Sequence, residues 1–208
     1  MTILAFEFSS EQRSVAVAVD GSVLNETVET GGRGTAAFAM IDRVLAGAKL
    51  EREQIQAIAV GLGPGSYTGI RAAIALAEGW KLAREVSLTG VSSVAAVVSV
   101  AQAERIFGPV SVVVNAQRQE FYCATFDIAE TGWTEISPLK ILGRDEVLSL
   151  SQGRLLIGPE APKFPGGRLI FPSAAAVAKL ASARNDFPAT EPLEPIYLRE
   201  TTFVKAKR

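Results

Sequence analysis

One stretch of eleven residues, Gly61-Leu62-Gly63-Pro64-Gly65-Ser66-Tyr67-Thr68-Gly69-Ile70-Arg71, constrains the fold of this chain more than any other. It joins an apolar run, Ile55 to Val60, to a helical pattern from Thr68 to Arg84 through Gly61, Gly63 and Gly65. Glycines at a strand-to-helix turn adopt backbone angles closed to other residues and let main-chain N–H groups approach a neighbour closely, often a phosphate. The same chain contains no histidine. That removes the commonest general base and metal ligand, and rules out both a Ser-His-Asp triad and an H-E-x-x-H zinc site. A nucleotide-type turn thus stands in a chain without the usual catalytic equipment.

The pattern around this turn is α/β. Thr2 to Phe8 and Arg13 to Val19 read as strands buried on both faces; Asp20-Gly21 is a hairpin signal, and Ser22 to Glu29 is the returning strand. The glycine-rich joint Gly31-Gly32-Arg33-Gly34 leads to a helix whose Phe38, Ile41, Leu45 and Ala48 recur at helical spacing. After the second helix, Ser87 to Val91 is a further strand. Three antiparallel strands, helix, strand, helix, strand is the order of a mixed sheet covered by helices. We therefore expect a first domain over residues 1–91. A second, smaller and eroded domain is expected over 92–208: a helix capped by Ser92 or Ser93 and running to about Ile106, a hairpin of Val110 to Val114 with Glu120 to Phe126, a strand at Arg154 to Gly158, and a helix at Ser173 to Arg184. Between the hairpin and Arg154 the pattern weakens.

Charge and cysteine content bound the function. Net charge is −1 across 208 residues, whereas a chain that binds nucleic acid alone carries a strong basic excess. The one basic cluster, Lys205, Lys207 and Arg208, reads as a solvated tail. A lone cysteine, Cys123, sits in an apolar run and fits a reducing cytosol better than an oxidising compartment. No uninterrupted apolar stretch reaches the about 18 residues that a bilayer span requires, and the N-terminus reads as a strand with no signal peptide. The expectation is a cytoplasmic protein with no membrane partner. Glu7, Asp20 and Glu78 are not clustered in sequence, so no metal site and no cofactor are expected.

Four segments carry a resemblance to a known family. Ile3-Leu4-Ala5-Phe6-Glu7-Phe8-Ser9-Ser10 resembles the opening phosphate-loop strand of the TsaB (YeaZ) family; Gly63 to Arg71 matches its most specific motif; Asn115-Ala116-Gln117-Arg118-Gln119-Glu120-Phe121-Tyr122 resembles its second-domain hairpin; and Pro195-Ile196-Tyr197-Leu198-Arg199 matches its C-terminal signature. The resemblance implies an α/β fold of the actin, sugar-kinase and heat-shock-protein type (ribonuclease H-like): two lobes, each a mixed sheet flanked by helices. It implies a non-catalytic dimerisation subunit that activates a TsaD-like transferase in threonylcarbamoyl modification of the adenosine next to the anticodon of tRNA. The implied partners are that paralogue, a TsaE-like ATPase and, in their absence, a second copy of the chain; tRNA is met only through the assembled complex. Glu7, Arg33-Gly34, Asn115 and Gln117 depart from the residues usual in the family.

Two sets of residues follow as expectations. Ser9, Gly63, Gly65 and Ser66 are the phosphate-loop candidates. Phe38, Ile41 and Leu45 on the first helix, with Ile70, Ala73, Ile74, Ala77 and Trp80 on the second, are the candidate partner interface, because the apolar surface of the second helix is broader than one stripe against a sheet requires. The alternative reading is an independent nucleotide-binding protein or enzyme of the sugar-kinase superfamily.

Overall fold

A computed structural model describes residues 1–31, 36–184 and 192–198. Arg33 and Gly34, Arg199 and the basic cluster Lys205, Lys207 and Arg208 lie outside the described residues. The first sheet has five strands in the order β3-β2-β1-β4-β5: β1 (Thr2–Glu7), β2 (Gln12–Val19), β3 (Ser22–Thr30), β4 (Ala57–Gly61) and β5 (Ser87–Val91). β1 pairs antiparallel with β2 and parallel with β4, so the sheet is mixed. Two helices belong to this run, α1 (Ala37–Ala48) and α2 (Tyr67–Ala83).

Strict alternation in the strands explains how the sheet is covered. Leu4, Phe6, Val15, Val17, Ile58 and Val60 face one side and bury against α1 and α2. Ile3, Ala5, Ala16, Ala18, Ala57 and Ala59 face the other. Residues two apart share a face of a strand, so large side chains collect on one face and small ones on the other. The small face admits close packing of α5 (Ala174–Ser182), whose Ala174, Ala176, Ala178 and Ala181 are all buried there. Although α5 comes from the 92–208 segment, it lies on the first sheet. Buried Ser14 accepts a 2.7 Å hydrogen bond from the Ala174 amide, and Glu26 accepts one of 3.0 Å from the Ala175 amide.

The second sheet repeats the first with fewer parts. Its order is β8-β7-β6-β9, with β6 (Gly108–Asn115), β7 (Glu120–Ala129), β8 (Gly132–Gly143) and β9 (Leu155–Ile157). An antiparallel meander again continues into a parallel strand, β6 to β9. Helix α3 (Ser93–Ala103), capped by the Ser92 hydroxyl, stands between the two sheets: Val94, Val97, Val98 and Ala101 join the core of the second, Ala96 that of the first. The far face of the second sheet is closed by Val147 of α4 (Arg144–Ser151) together with Ala161 and Phe164.

Sequence reasoning misses β8 and α4. β8 is an edge strand with one buried residue, Leu142, and an exposed Ile136, and it carries Pro138, which an edge tolerates because no partner needs its missing N–H. Its pairing with β7 also shifts register around Thr125, which breaks the alternation a reader would look for.

Candidate functional site

A cleft of about 640 Å³ opens between the two sheets. From the first unit come Ser9, Ser10, Glu11 and Arg13 after β1, then Gly65, Ser66, Tyr67 and Thr68 at the start of α2; from the second come Asn115 and Gln117 on the β6–β7 hairpin and Glu160 and Lys163 after β9. The repeated topology thus delivers equivalent loops of both units to one place. Lys163 and Glu160 form an ion pair across one wall. The hairpin tip is unusual: Gln117, Arg118 and Gln119 take φ of 64, 53 and 63° in succession, with the Asn115 carboxamide accepting a 2.7 Å hydrogen bond from the Gln117 amide. Three consecutive left-handed side-chain-bearing residues are held there against a cost of about 1–2 kcal/mol each.

The structure brings Ser9, Gly65 and Ser66 together on the cleft wall but not Gly63. Gly63 is buried and its amide donates to the Ser93 hydroxyl at 3.0 Å. The glycines serve the chain itself. A Cβ on Gly65, where φ is +152°, would stand 2.1 Å from the Ser9 carbonyl oxygen; one on Gly69 would stand 2.0 Å from that of Phe8; one on Gly61 would stand 2.0 Å from the Glu7 carboxylate. Several of the loop amides are likewise engaged: Ser66 N–H donates to the Ser9 carbonyl at 2.7 Å, Leu62 N–H to that of Val91 at 2.8 Å, and Gly69 N–H to the capping Ser66 hydroxyl at 3.3 Å. Close approach of backbone to backbone, which glycine permits, is here approach of the loop to the end of β1.

Glu7 is not in the cleft. It is fully buried behind the loop, where its carboxylate accepts 2.8 Å hydrogen bonds from the Ser9 amide and the Ser93 hydroxyl. Its carboxylate reaches Ser93 through the space that Gly61 leaves. Burial holds its pKa above the ordinary glutamate value, against the lowering effect of the hydrogen bonds from Ser9 and Ser93. Asp20 pairs with the N-terminal amine and Glu78 lies on the outer side of α2, so these three acids are far apart in the fold. Among the described residues no three His, Cys, Asp or Glu side chains converge, and no helix is long and apolar enough to cross a membrane. Cys123 is buried and its thiol is pushed up to about 12 by burial, which makes it inert.

The expected partner surface needs correction. Ile41, Leu45, Ile70, Ala73 and Ala77 are buried in the chain's own first core, and Ile74 nearly so. A side chain packed against its own sheet is not available to another chain. On α1 the buried stripe is Ala37, Met40, Ile41, Val44 and Leu45, which turns Phe38 outward at 67% exposure. Trp80 is half-buried against the same core. The Arg71 guanidinium lies over the ring of Tyr67, 5.2 Å from its centroid. On the opposite face of α2, Thr68, Ala72, Ala75, Gly79 and Leu82 are all exposed, Leu82 at 91%. Sequence reasoning picks out Ala72 and Ala75 as small residues suited to close helix approach but misses Thr68, Gly79 and Leu82, which their 4-3-4-3 spacing joins to them.

Comparison with known proteins agrees with this architecture. Residues 35–180 match the family model described as TsaD, tRNA N6-adenosine threonylcarbamoyltransferase. The tRNA threonylcarbamoyladenosine biosynthesis protein TsaB of Escherichia coli K12 is 29% identical over 96% of this chain and 95% of its own length. Its Haemophilus influenzae counterpart is 27% identical over 99% and 97%. A crystal structure described as an uncharacterized protein with similarity to peptidase YEAZ, from Pseudomonas aeruginosa, superimposes with a TM-score of 0.81 at 25% identity, covering 95% of this chain and 99% of that one. Matched nearly end to end by curated TsaB proteins and falling within the wider group that the transferase model describes, the chain belongs to the TsaB (YeaZ) family.

Proposed function

We propose that this chain is a non-catalytic subunit in the biosynthesis of threonylcarbamoyladenosine in tRNA, working in the cytoplasm by pairing with a TsaD-like transferase through the outer faces of α1 and α2. Its action is conformational. Pairing favours the state of the transferase able to bind donor and tRNA, and a differential affinity of a few kcal/mol converts a mostly inactive partner into a mostly active one. A TsaE-like ATPase joins the pair, a second copy of this chain takes the same face when the paralogue is absent, and tRNA is met through the assembled complex. In this reading residues 1–91 supply the pairing helices, and 92–208 form the second lobe.

The observation that carries the proposal is the exposed α2 stripe, and Gly79 within it. Among the described residues three glycines lie inside helices: Gly47, Gly69 and Gly79. A Cβ on Gly47 would strike Asn25 and one on Gly69 would strike Phe8, whereas nothing stands within 4 Å of a Cβ on Gly79. A mid-helix glycine costs about 1 kcal/mol relative to alanine, and the fold of the single chain gives no reason for it. Close passage of a helix from another chain does, and Leu82, three residues further along α2, supplies an exposed apolar contact beside it. The test is reconstituted tRNA threonylcarbamoylation by the TsaD-like protein: activity that requires this chain and falls at least about tenfold with Gly79→Leu supports the reading, and activity indifferent to this chain contradicts it.

A second reading has the cleft in its favour. Its hydroxyls at Ser9, Ser66 and Thr68 and the cation Lys163 suit an independent nucleotide-binding protein or enzyme of the sugar-kinase type. Micromolar binding of ATP in calorimetry would favour that reading.

A further inference from the structure

The segment 192–198 returns from the far end of the chain to the loop–α2 unit and touches it at three heights. The Ile196 amide donates to the Leu62 carbonyl at 2.8 Å, inside the glycine loop. Tyr197 stacks on Tyr67 in the first turn of α2, with ring centroids 5.5 Å apart and planes 24° from parallel, while the Arg71 guanidinium also lies against Tyr67. Leu193 is buried in the first core. Between Leu193 and Pro195 on one side and Arg71, Ile74, Ala75 and Glu78 on the other runs a groove of about 250 Å³. The loop–α2 unit is therefore held from both sides. On the inner side it is bonded to Ser9 and Ser93; on the outer side it is bonded to this segment. Tyr67 belongs to both sides, since the residue lines the cleft and its ring forms the stack.

We propose that residues 192–198 are a strap that clamps the glycine loop and α2 together, and that the stacking of Tyr197 on Tyr67 sets the position of α2 and hence the shape of the helix face offered to a partner chain. The second clause rests on the pairing proposed above; the first does not. An offset aromatic stack adds to plain area burial and is directional, which suits a latch better than an aliphatic contact of the same size. Release of the latch frees Tyr67 to follow events in the cleft, so the strap couples the cleft wall to the outer face of α2.

The experiment uses the full chain, its Tyr197→Ala variant and the conservative Tyr197→Phe, each first checked for a native thermal transition. Hydrogen exchange by mass spectrometry reads the clamp, and light scattering with the TsaD-like protein reads the face. The strap predicts that Tyr197→Ala speeds exchange across residues 62–71 about tenfold, a local loss of about 1.4 kcal/mol, while β6 and β7 stay protected and Tyr197→Phe behaves as the parent. It further predicts that Tyr197→Ala weakens pairing by a similar factor. Unchanged exchange across 62–71 overturns the clamp; faster exchange with undiminished pairing overturns its role at the face. If the parent chain itself does not pair, it is the proposed function that fails, and the exchange result still decides the clamp.

Discussion

Glu7 and Gly65 are the two residues on which the geometry of the loop turns. Because burial raises the pKa of Glu7, the folded chain binds a proton there over a pH range in which the unfolded chain does not. Stability from this group is present below the unfolded value, 4.5, and is lost as pH rises through the folded one. Glu7→Gln keeps an acceptor for Ser9 and offers Ser93 a donor. Its stability relative to the parent is therefore expected to rise with pH above the unfolded value. Thermal melts of both proteins from acid to neutral pH check this, and a constant difference would refute it. Gly65→Ala meets a main-chain oxygen that cannot swing away, at a φ few side chains adopt. A loss of at least about 2 kcal/mol is expected in urea unfolding. Neither Glu7's partner nor the need for Gly65 is legible in the sequence, since Ser93 lies 86 residues away and Ser9 is 56 residues before Gly65.

At the scale of the element, the legible parts are those whose own periodicity fixes them. Strands β1 to β5 and helices α1 to α3 and α5 lie within a few residues of the sequence reading, because alternation, helical spacing and caps such as Ser66, Ser92 and Ser173 are local signals. The orientation of a helix is less local. Helical spacing alone allowed Phe38 to lead the buried stripe of α1, and the sheet instead selected Met40 and Val44, since a covering helix turns its most continuous apolar stripe inward. The same packing drew most of the expected interface residues inside. Consequently Ile74→Glu is expected to unfold the chain rather than to test an interface, by burying an unpaired charge. Gly79→Ala separates the two roles of α2: with open space at its Cβ, it is expected to stabilise the isolated chain by about 1 kcal/mol in urea unfolding. Destabilisation would mean that Gly79 has a role within the chain and would remove the argument for a partner there.

Over the whole molecule, one topology is used twice, with α3 between the sheets and α5 returned to the first. The loops of both halves meet at a cleft whose glycine turn packs against the end of β1, while the helices on the outer side of the first sheet present small and apolar residues to solvent. That distribution favours a molecule that acts through its outer face. The most direct test is multi-angle light scattering of this chain mixed with the TsaD-like protein of the same organism, alongside Phe38→Glu and Gly79→Leu, two exposed changes expected to leave the fold intact. A one-to-one complex formed by the parent and lost in both variants is the predicted result. Absence of a complex at every concentration, with nucleotide and the TsaE-like protein present, would contradict the account; so would a complex that both variants form as readily as the parent.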